Sequence, residues 1–199
     1  MSDSDSTFRI VLLTGAALLL PAAVYFRLKS QATGEALDRR QEGLPILLTL
    51  RPIGLAGMLG LVAFMINPSS MAWSSLPLPD WLRWAGVVLS VAGGGLLIWT
   101  FRTLGPNLTD TVVTRKTHTL VTRGPYRWVR HPFYDSAALC MLANSLVAAN
   151  WFILLTGVLA LSLLVIRTNK EEENLMKRFG DSYRSYQERT GRFWPKFGG

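Results

Sequence analysis

The chain has 199 residues, of which 49% are hydrophobic, and its formal net charge is +8. The positive residues fall in blocks between long apolar runs, which is typical of loops beside membrane helices and argues against a nucleic-acid-binding protein. Its single cysteine, Cys140, excludes an intramolecular disulfide.

Five apolar runs predict an all-α integral membrane bundle of about five transmembrane helices, since only helices and closed barrels satisfy the backbone in lipid. In chain order they are Ile10–Phe26, Leu44–Ile66, Trp84–Phe101, Phe133–Ala149 and Trp151–Ile166. A bilayer core needs roughly 17–25 helical residues, so the first three runs are long enough. The last two are at or just under this limit and are joined only by Asn150, which predicts a helix 4–5 hairpin. The leader before the first run is acidic, so we expect that run to be a retained helix rather than a signal peptide.

The distribution of positive charge predicts the orientation. Eighteen of the 21 Lys and Arg residues fall in the connections 1–2 and 3–4 or after Ile166, whereas the 2–3 loop has none. Because cytoplasmic loops are enriched in Lys and Arg, we expect the N-terminus outside and the C-terminus in the cytoplasm.

The hydrophilic segments predict how the cytoplasmic face is covered. The connection Thr103–Arg130 is too rich in Thr, Gly and Pro for a helix, and we expect it to fold over the mouth of the bundle. Periodic apolar residues predict a cytoplasmic C-terminal helix over Lys170–Glu188. We therefore expect two parts of one integrated domain: residues 1–103 with helices 1–3, and residues 104–199 with the connection, the hairpin and the terminal helix.

Ionisable residues are concentrated at the base of the hairpin. Arg130, His131 and Tyr134 precede or open helix 4, and Arg167 and Glu171–Glu173 follow helix 5. A hairpin brings these ends together, and ionisable clusters beside apolar spans are functional candidates. The chain has two histidines, neither in a zinc-binding arrangement, so we predict no metal site.

Each of these residues also has a structural explanation. Arg130 and His131 fit positive charges at a helix start, and Tyr134 fits an interfacial aromatic. The acidic cluster fits the first turn of the terminal helix, and Arg167 fits a side chain that extends from a helix end to the interface. The occurrence of all of them around one hairpin favours a shared site.

The C-terminal half resembles the isoprenylcysteine carboxyl methyltransferase and phospholipid methyltransferase superfamily of membrane enzymes. The resemblance rests on an ordered series of motifs between about Leu104 and Pro195. They are His118–Arg127, Arg130-His131-Pro132-Phe133-Tyr134, Arg167, Glu171-Glu172, Phe179–Tyr183 and Thr190–Pro195.

This resemblance implies that the cytoplasmic connection, the hairpin base and the terminal helix bind S-adenosylmethionine. By position, the segment His118–Tyr126 would line the adenosyl part and His131 with Tyr134 the methionine end. Arg130 would lie near the methionine carboxylate or shape the loop, and Glu171 or Glu172 would accept hydrogen bonds from the ribose. The cofactor-binding candidates are His118, Leu120, Val121, Gly124, Tyr126, Arg130, His131, Pro132, Tyr134, Glu171 and Glu172.

The implied reaction is methyl transfer to a lipophilic acceptor that enters from the bilayer. The acceptor stays open between a carboxyl, a thiol, an amine and a phospholipid; if it is a carboxylate, Arg167 is the candidate that would orient it. Asp135 departs from the small or apolar residue expected after the Arg-His-Pro-x-Tyr motif. Two roles are open for it: a solvated acid in the first turn of helix 4, or a counter-ion or base that faces the acceptor.

Two other functions remain as alternatives. Membrane sterol reductases, which use NADPH, resemble this superfamily at the C-terminus, but they are much longer chains. A non-catalytic membrane protein would have no cofactor affinity and would tolerate replacement of His131 or Glu172. The oligomeric state is left open by the sequence.

Overall fold

The fold is an all-α bundle in a computed structural model that describes residues 3–31, 44–108 and 119–196. Its helices are α1 (Asp3–Gln31), α2 (Leu44–Ile66), α3 (Asp80–Leu104), α4 (Pro132–Val147), α5 (Trp151–Phe179) and α6 (Asp181–Arg189). Three short 3₁₀ segments lie at Pro68–Ser74, Gly105–Asn107 and Gly124–Arg127.

Four of these helices, α1, α2, α3 and α5, are long and apolar enough to cross a membrane. Helix α4 has 16 residues, which corresponds to about 24 Å at 1.5 Å per residue and is less than a hydrocarbon core of roughly 30 Å. The integral membrane bundle predicted from hydropathy is confirmed. The short α4 agrees with the expectation of a hairpin in which one helix is at or below spanning length.

The predicted C-terminal helix over Lys170–Glu188 is wrong as a single, separate element. Helix α5 does not end near Ile166 but continues through Glu171–Glu173 to Phe179, and α6 follows as a shorter helix. The break lies at Gly180, whose φ of +51° is easily adopted only without a Cβ. The acidic cluster is therefore part of the long hairpin helix itself.

The hairpin turn is anchored by Asn150, whose side chain is almost completely buried. Its Oδ1 accepts hydrogen bonds from the backbone N–H groups of Phe152 and Ile153, both at 3.1 Å, which caps α5. Its Nδ2 donates to Ser74 Oγ at 2.8 Å and so joins the turn to the 2–3 loop. Helix α4 packs most extensively against α3, and α5 against α2.

Candidate functional site

A cavity of about 640 Å³ lies at the end of the bundle where α3 ends and α4 begins. It is bounded by α2, α4, α5, α6 and the segment between α3 and α4. Its apolar and small lining residues are Leu50, Gly54, Leu55, Met58, Leu104, Leu108, Leu120, Val121, Phe133, Ala137, Met141, Ala160, Leu164 and Leu175. Its polar lining residues are Arg51, Asn107, Tyr126, Arg130, His131, Tyr134, Arg167, Glu171, Tyr183 and Tyr186.

One face of α5 contributes both apolar and charged residues to the lining of this cavity. Ala160, Leu164, Arg167, Glu171 and Leu175 recur every three or four residues, so they lie on the same side of the helix, and all five line the cavity. Along that face the surface changes from apolar to Arg167 and, one turn later, to Glu171. The cavity therefore has an apolar arm beside the α2–α5 pair and a polar chamber near α6.

The start of α4 is held by the C-terminal segment of the chain. The backbone N–H of Arg130 donates to the carbonyl of Gly191 at 2.9 Å, and that of His131 donates to Arg192 at 3.1 Å. The N–H of Gly191 donates in turn to the carbonyl of Trp128 at 3.2 Å. These pairings fix the backbone from which the side chains of Arg130 and His131 project.

Glu172 binds protein groups around the start of α4. Its Oε1 accepts from Arg130 Nε at 2.9 Å and lies 3.1 Å from His131 Nε2. Its Oε2 lies 3.4 Å from both Gln187 Nε2 and Arg192 Nη2. Both Arg130 and Glu172 side chains are less than 15% exposed, so their 2.9 Å contact is a short, charge-assisted hydrogen bond in a largely buried position. Glu172 joins α5, α6 and the two segments that meet at His131.

Glu171 has a different environment, because it lines the cavity. Its Oε2 accepts a hydrogen bond from Tyr134 Oη at 2.9 Å and lies 3.9 Å from Nδ1 of the buried His131. Its side chain is 31% exposed. A carboxylate has about four acceptor sites, so Glu171 keeps acceptor capacity on the cavity side.

Three tyrosines, Tyr126, Tyr183 and Tyr186, line the same cavity as Glu171. Tyr186 Oη donates to the backbone carbonyl of Tyr126 at 2.6 Å and ties α6 to the 3₁₀ segment. Tyr183 is 1% exposed, and its Oη finds no hydrogen-bond partner among the described residues. Burial and, next, the negative charge of Glu171 raise the pKa of Tyr126, and burial and Glu172 raise that of Tyr183. Burial also raises the pKa of Tyr186. All three phenols thus stay protonated at neutral pH, and of the three Tyr186 donates to a described residue.

The structure brings most of the candidate residues to one cavity. Those that line it are Leu120, Val121, Tyr126, Arg130, His131, Tyr134, Arg167 and Glu171. Gly124, Pro132, Asp135 and Glu172 are not among the described lining residues. His118 lies outside the described residues. The metal-ligating side chains that the structure describes form no group of three or more that could hold a metal ion.

The sequence did not identify Arg51, Asn107, Tyr183 and Tyr186 as site residues. The periodicity of the terminal helix was the available signal, because Leu175, Tyr183 and Tyr186 fall on its apolar face and all three line the cavity. The positions of Arg51 and Asn107 depend on how α2 and the end of α3 pack, which local patterns do not specify.

The transmembrane helices and this cavity define a class: an integral membrane protein with a ligand-sized, amphipathic cavity at one end of its bundle. The model of the isoprenylcysteine carboxyl methyltransferase (ICMT) family matches residues 86–177. The chain is 32% identical over 126 residues to the human protein-S-isoprenylcysteine O-methyltransferase, covering 59% of this chain and 43% of that one. It is 31% identical over 119 residues to methanethiol S-methyltransferase of Pseudomonas sp. (strain GM41(2012)), covering 58% and 44%.

The solved structure of the eukaryotic intramembrane Ras methyltransferase ICMT has the same fold. It aligns with a TM-score of 0.56 at 19% sequence identity and covers 94% of this chain and 72% of that one. The family model, the relatives and the solved structure agree with the resemblance to the isoprenylcysteine carboxyl methyltransferase superfamily that the motifs indicate. It spans less than half of the length of the curated relatives named above.

Proposed function

We propose that this protein is an S-adenosylmethionine-dependent methyltransferase that acts on a lipophilic acceptor at the membrane–cytoplasm interface. The observation that carries this proposal is that an apolar arm, Arg167 and Glu171 line the same cavity and follow one another in that order along α5. Such an arrangement suits two ligands of different polarity that meet near the middle of the cavity. The superfamily's named relatives, which are methyltransferases, support the same function.

The residues of the polar chamber fit an adenosyl cofactor. Glu171 offers a carboxylate with free acceptor capacity, which suits a ribose diol or a nearby sulfonium cation. Tyr183 offers a buried hydroxyl without a partner among the described residues, and a buried polar atom of this kind is stabilised by a ligand that bonds to it. S-adenosylmethionine supplies, when bound, a methyl group on a positively charged sulfur.

The protein's own contribution is to position the two ligands and exclude water. Glu172 and its partners hold Arg130 and His131 in place, which supports the loop-shaping role for Arg130. The aromatic rings of His131, Tyr134 and Phe193 pack with centroids 5.5–5.8 Å apart in successive pairs and form a rigid wall. Tyr134 orients the Glu171 carboxylate through its 2.9 Å hydrogen bond.

We further propose that the acceptor is a carboxylate on a lipophilic tail. Arg167 lies one turn from both Leu164 and Glu171 on the lining face of α5, where its guanidinium can orient a carboxylate in two-pronged fashion. A carboxylate loses no proton on methylation, whereas a thiol or an amine does. Asp135, for which the sequence left a role as a base open, is partly buried and is not among the described residues that line the cavity, so the lining does not support a base at the acceptor.

Isothermal titration of the detergent-solubilised protein tests the cofactor. We expect S-adenosylhomocysteine and S-adenosylmethionine to bind and NADPH not to bind. Glu171→Gln should weaken binding of the adenosyl ligands by about 10-fold to 100-fold, the usual cost of removing a hydrogen bond to a charged group. Glu173→Gln is the matched control, because Glu173 is 57% exposed and pairs with Lys170 at the surface.

A methyl-transfer assay with labelled S-adenosylmethionine then separates the acceptors. Lipophilic carboxylic acids should be methylated, and a lipophilic thiol of equal length should be methylated more slowly. Binding of NADPH alone would indicate a reductase, and binding of neither ligand by folded protein would indicate a non-catalytic protein. Equal adenosyl affinity in wild type and Glu171→Gln would show that the cofactor does not contact this carboxylate.

A further inference from the structure

A second groove lies on the outer face of α3, at the same end of the bundle as the cavity. It is lined by Gly95, Ile98, Trp99, Arg102, Thr103, Arg123 and Gly124 and has a volume of about 600 Å³. Arg102 lies about 200° around the helix from Leu104, which lines the cavity. The groove and the cavity are therefore on opposite sides of the end of α3.

The groove continues an apolar stripe that faces the membrane. Val88, Val91, Gly95, Ile98 and Arg102 recur every three or four residues along α3 and share one face. Val88 and Val91 are 69% and 72% exposed, and a Cβ at Gly95 would meet nothing within 4 Å. This face thus offers an open apolar surface that ends at a positive charge.

A tight packing contact places a second arginine beside the first. Gly124 has a φ of +60°, and a Cβ there would lie 2.5 Å from Thr103 Oγ1, so the loop lies directly against the last turns of α3. Thr103 Oγ1 is itself held by a 2.8 Å hydrogen bond to the carbonyl of Trp99. This contact fixes the preceding residue, Arg123, in the lining of the same groove.

The two arginines of the groove, Arg102 and Arg123, are exposed to solvent. Neither forms an ion pair with a described residue. No acidic side chain is among the described residues of the groove lining. Trp99 and Trp128 pack edge to face with centroids 5.6 Å apart beside it, and tryptophans of this kind mark the level of the lipid headgroups.

We propose that this groove binds one anionic phospholipid, with its phosphodiester between Arg102 and Arg123 and an acyl chain along the face of α3 that contains Gly95. The charge complementarity selects an anionic over a zwitterionic headgroup, and the adjoining apolar stripe selects a lipid over a soluble phosphate. The proposal is independent of the proposed methyltransferase activity, because the groove lies across α3 from the cavity.

Native mass spectrometry tests the site on purified full-length protein equilibrated with micelles that contain equal amounts of phosphatidylglycerol and phosphatidylcholine. The wild type should retain phosphatidylglycerol in preference to phosphatidylcholine. In the double variant Arg102→Gln/Arg123→Gln, the preference for phosphatidylglycerol should be at least about tenfold weaker. Each arginine near anionic headgroups strengthens binding to them roughly fivefold. Arg184→Gln/Arg189→Gln is the control, because it removes the same charge from the exposed face of α6.

A steric variant tests the acyl-chain half of the site without changing charge. Gly95→Leu should fill the open part of the groove and lower phosphatidylglycerol retention, while thermal unfolding stays close to that of the wild type. Glycerol 3-phosphate, which has the charge but no chains, should not displace the lipid. The proposal is overturned if the Arg102/Arg123 double variant retains phosphatidylglycerol like the Arg184/Arg189 control, or if glycerol 3-phosphate displaces the lipid at equal concentration.

Discussion

Glu171 and Glu172 are neighbours in sequence, but their carboxylates act on different surroundings. Successive residues of an α-helix point about 100° apart, so one side chain faces the cavity and the other faces the segment before α4. Glu171 bonds to Tyr134 and lines the cavity. Glu172 is occupied by Arg130 and His131. At the residue scale, Glu171 is available to a ligand in the cavity, whereas Glu172 holds Arg130 and His131 in place.

The first prediction concerns stability at Glu172. Glu172→Gln should lower the free energy of unfolding by about 1–3 kcal/mol, because it leaves Arg130 without an anionic partner in a largely buried position. Chemical denaturation in detergent measures this change, and the exposed Glu173→Gln should stay within about 0.5 kcal/mol of the wild type. If Glu172→Gln unfolds like the wild type but fails to bind S-adenosylhomocysteine, this carboxylate contacts the ligand instead.

At this scale the sequence predicted which charged groups meet but not which way each one faces. Arg130, His131, Tyr134, Arg167 and Glu171 are brought together by the hairpin alone, and its existence follows from hydropathy. Hydropathy and motif order do not predict which residue of the Glu171-Glu172 pair faces the cavity, because both residues are polar and both are in the motif. That choice depends on the rotation of α5 against α4, which long-range packing determines.

At the scale of the helices, hydropathy and helix length are separate properties. The apolar run of α5 ends at Ile166, where the bilayer interface is expected, but its backbone stays helical to Phe179. The intervening residues have no Gly or Pro to end the helix. Hydrophobic runs therefore predicted the membrane segments, whereas the helix break was encoded by Gly180. Tyr183 and Tyr186, which line the cavity, lie on α6 after this break.

The second prediction tests the contact between α2 and α5. A Cβ at Gly57 would lie 2.7 Å from Thr156 Oγ1, so Gly57→Ala should push the helices apart and destabilise the protein by about 1–3 kcal/mol. Thr156→Ala should recover part of this loss in the double variant, because it removes the closest atom while the Cβ atom of residue 156 remains. Thermal unfolding of the four proteins gives the coupling.

The control for this prediction lies on the same helix. A Cβ at Gly54 would meet nothing within 4 Å, so Gly54→Ala should be neutral or slightly stabilising. Equal destabilisation by the Gly54 and Gly57 variants would mean that the α2–α5 contact is looser than described.

On the scale of the whole molecule, the two ends of the bundle are built differently. The end away from the cavity is closed by Arg83, which is 4% exposed. It donates from Nε to the carbonyl of Val147 at 3.0 Å and pairs with Asp5 at 3.0 Å, so α1, α3 and α4 meet there. Its guanidinium also lies 4.1 Å from the centroid of the Phe8 ring. A closed end and an open, polar end suit a protein that admits water-soluble ligands from one side only.

The third prediction follows from this asymmetry together with the distribution of Lys and Arg, and it concerns orientation in the membrane. The 2–3 loop, which has no positive residue, should lie outside, and α6, which follows the basic blocks, should lie in the cytoplasm. Single cysteines at exposed positions, Ser75→Cys in the loop and Ser185→Cys in α6, can be introduced after Cys140→Ala.

A membrane-impermeant maleimide applied to intact cells should label the Ser75→Cys protein and leave the Ser185→Cys protein unlabelled. Both should react after the membrane is permeabilised, which controls for accessibility of the two sites. Labelling of Ser185→Cys alone in intact cells would show that the protein has the opposite orientation. The cavity would then open away from the cytoplasm, where S-adenosylmethionine is made, so this result would also contradict the proposed cofactor.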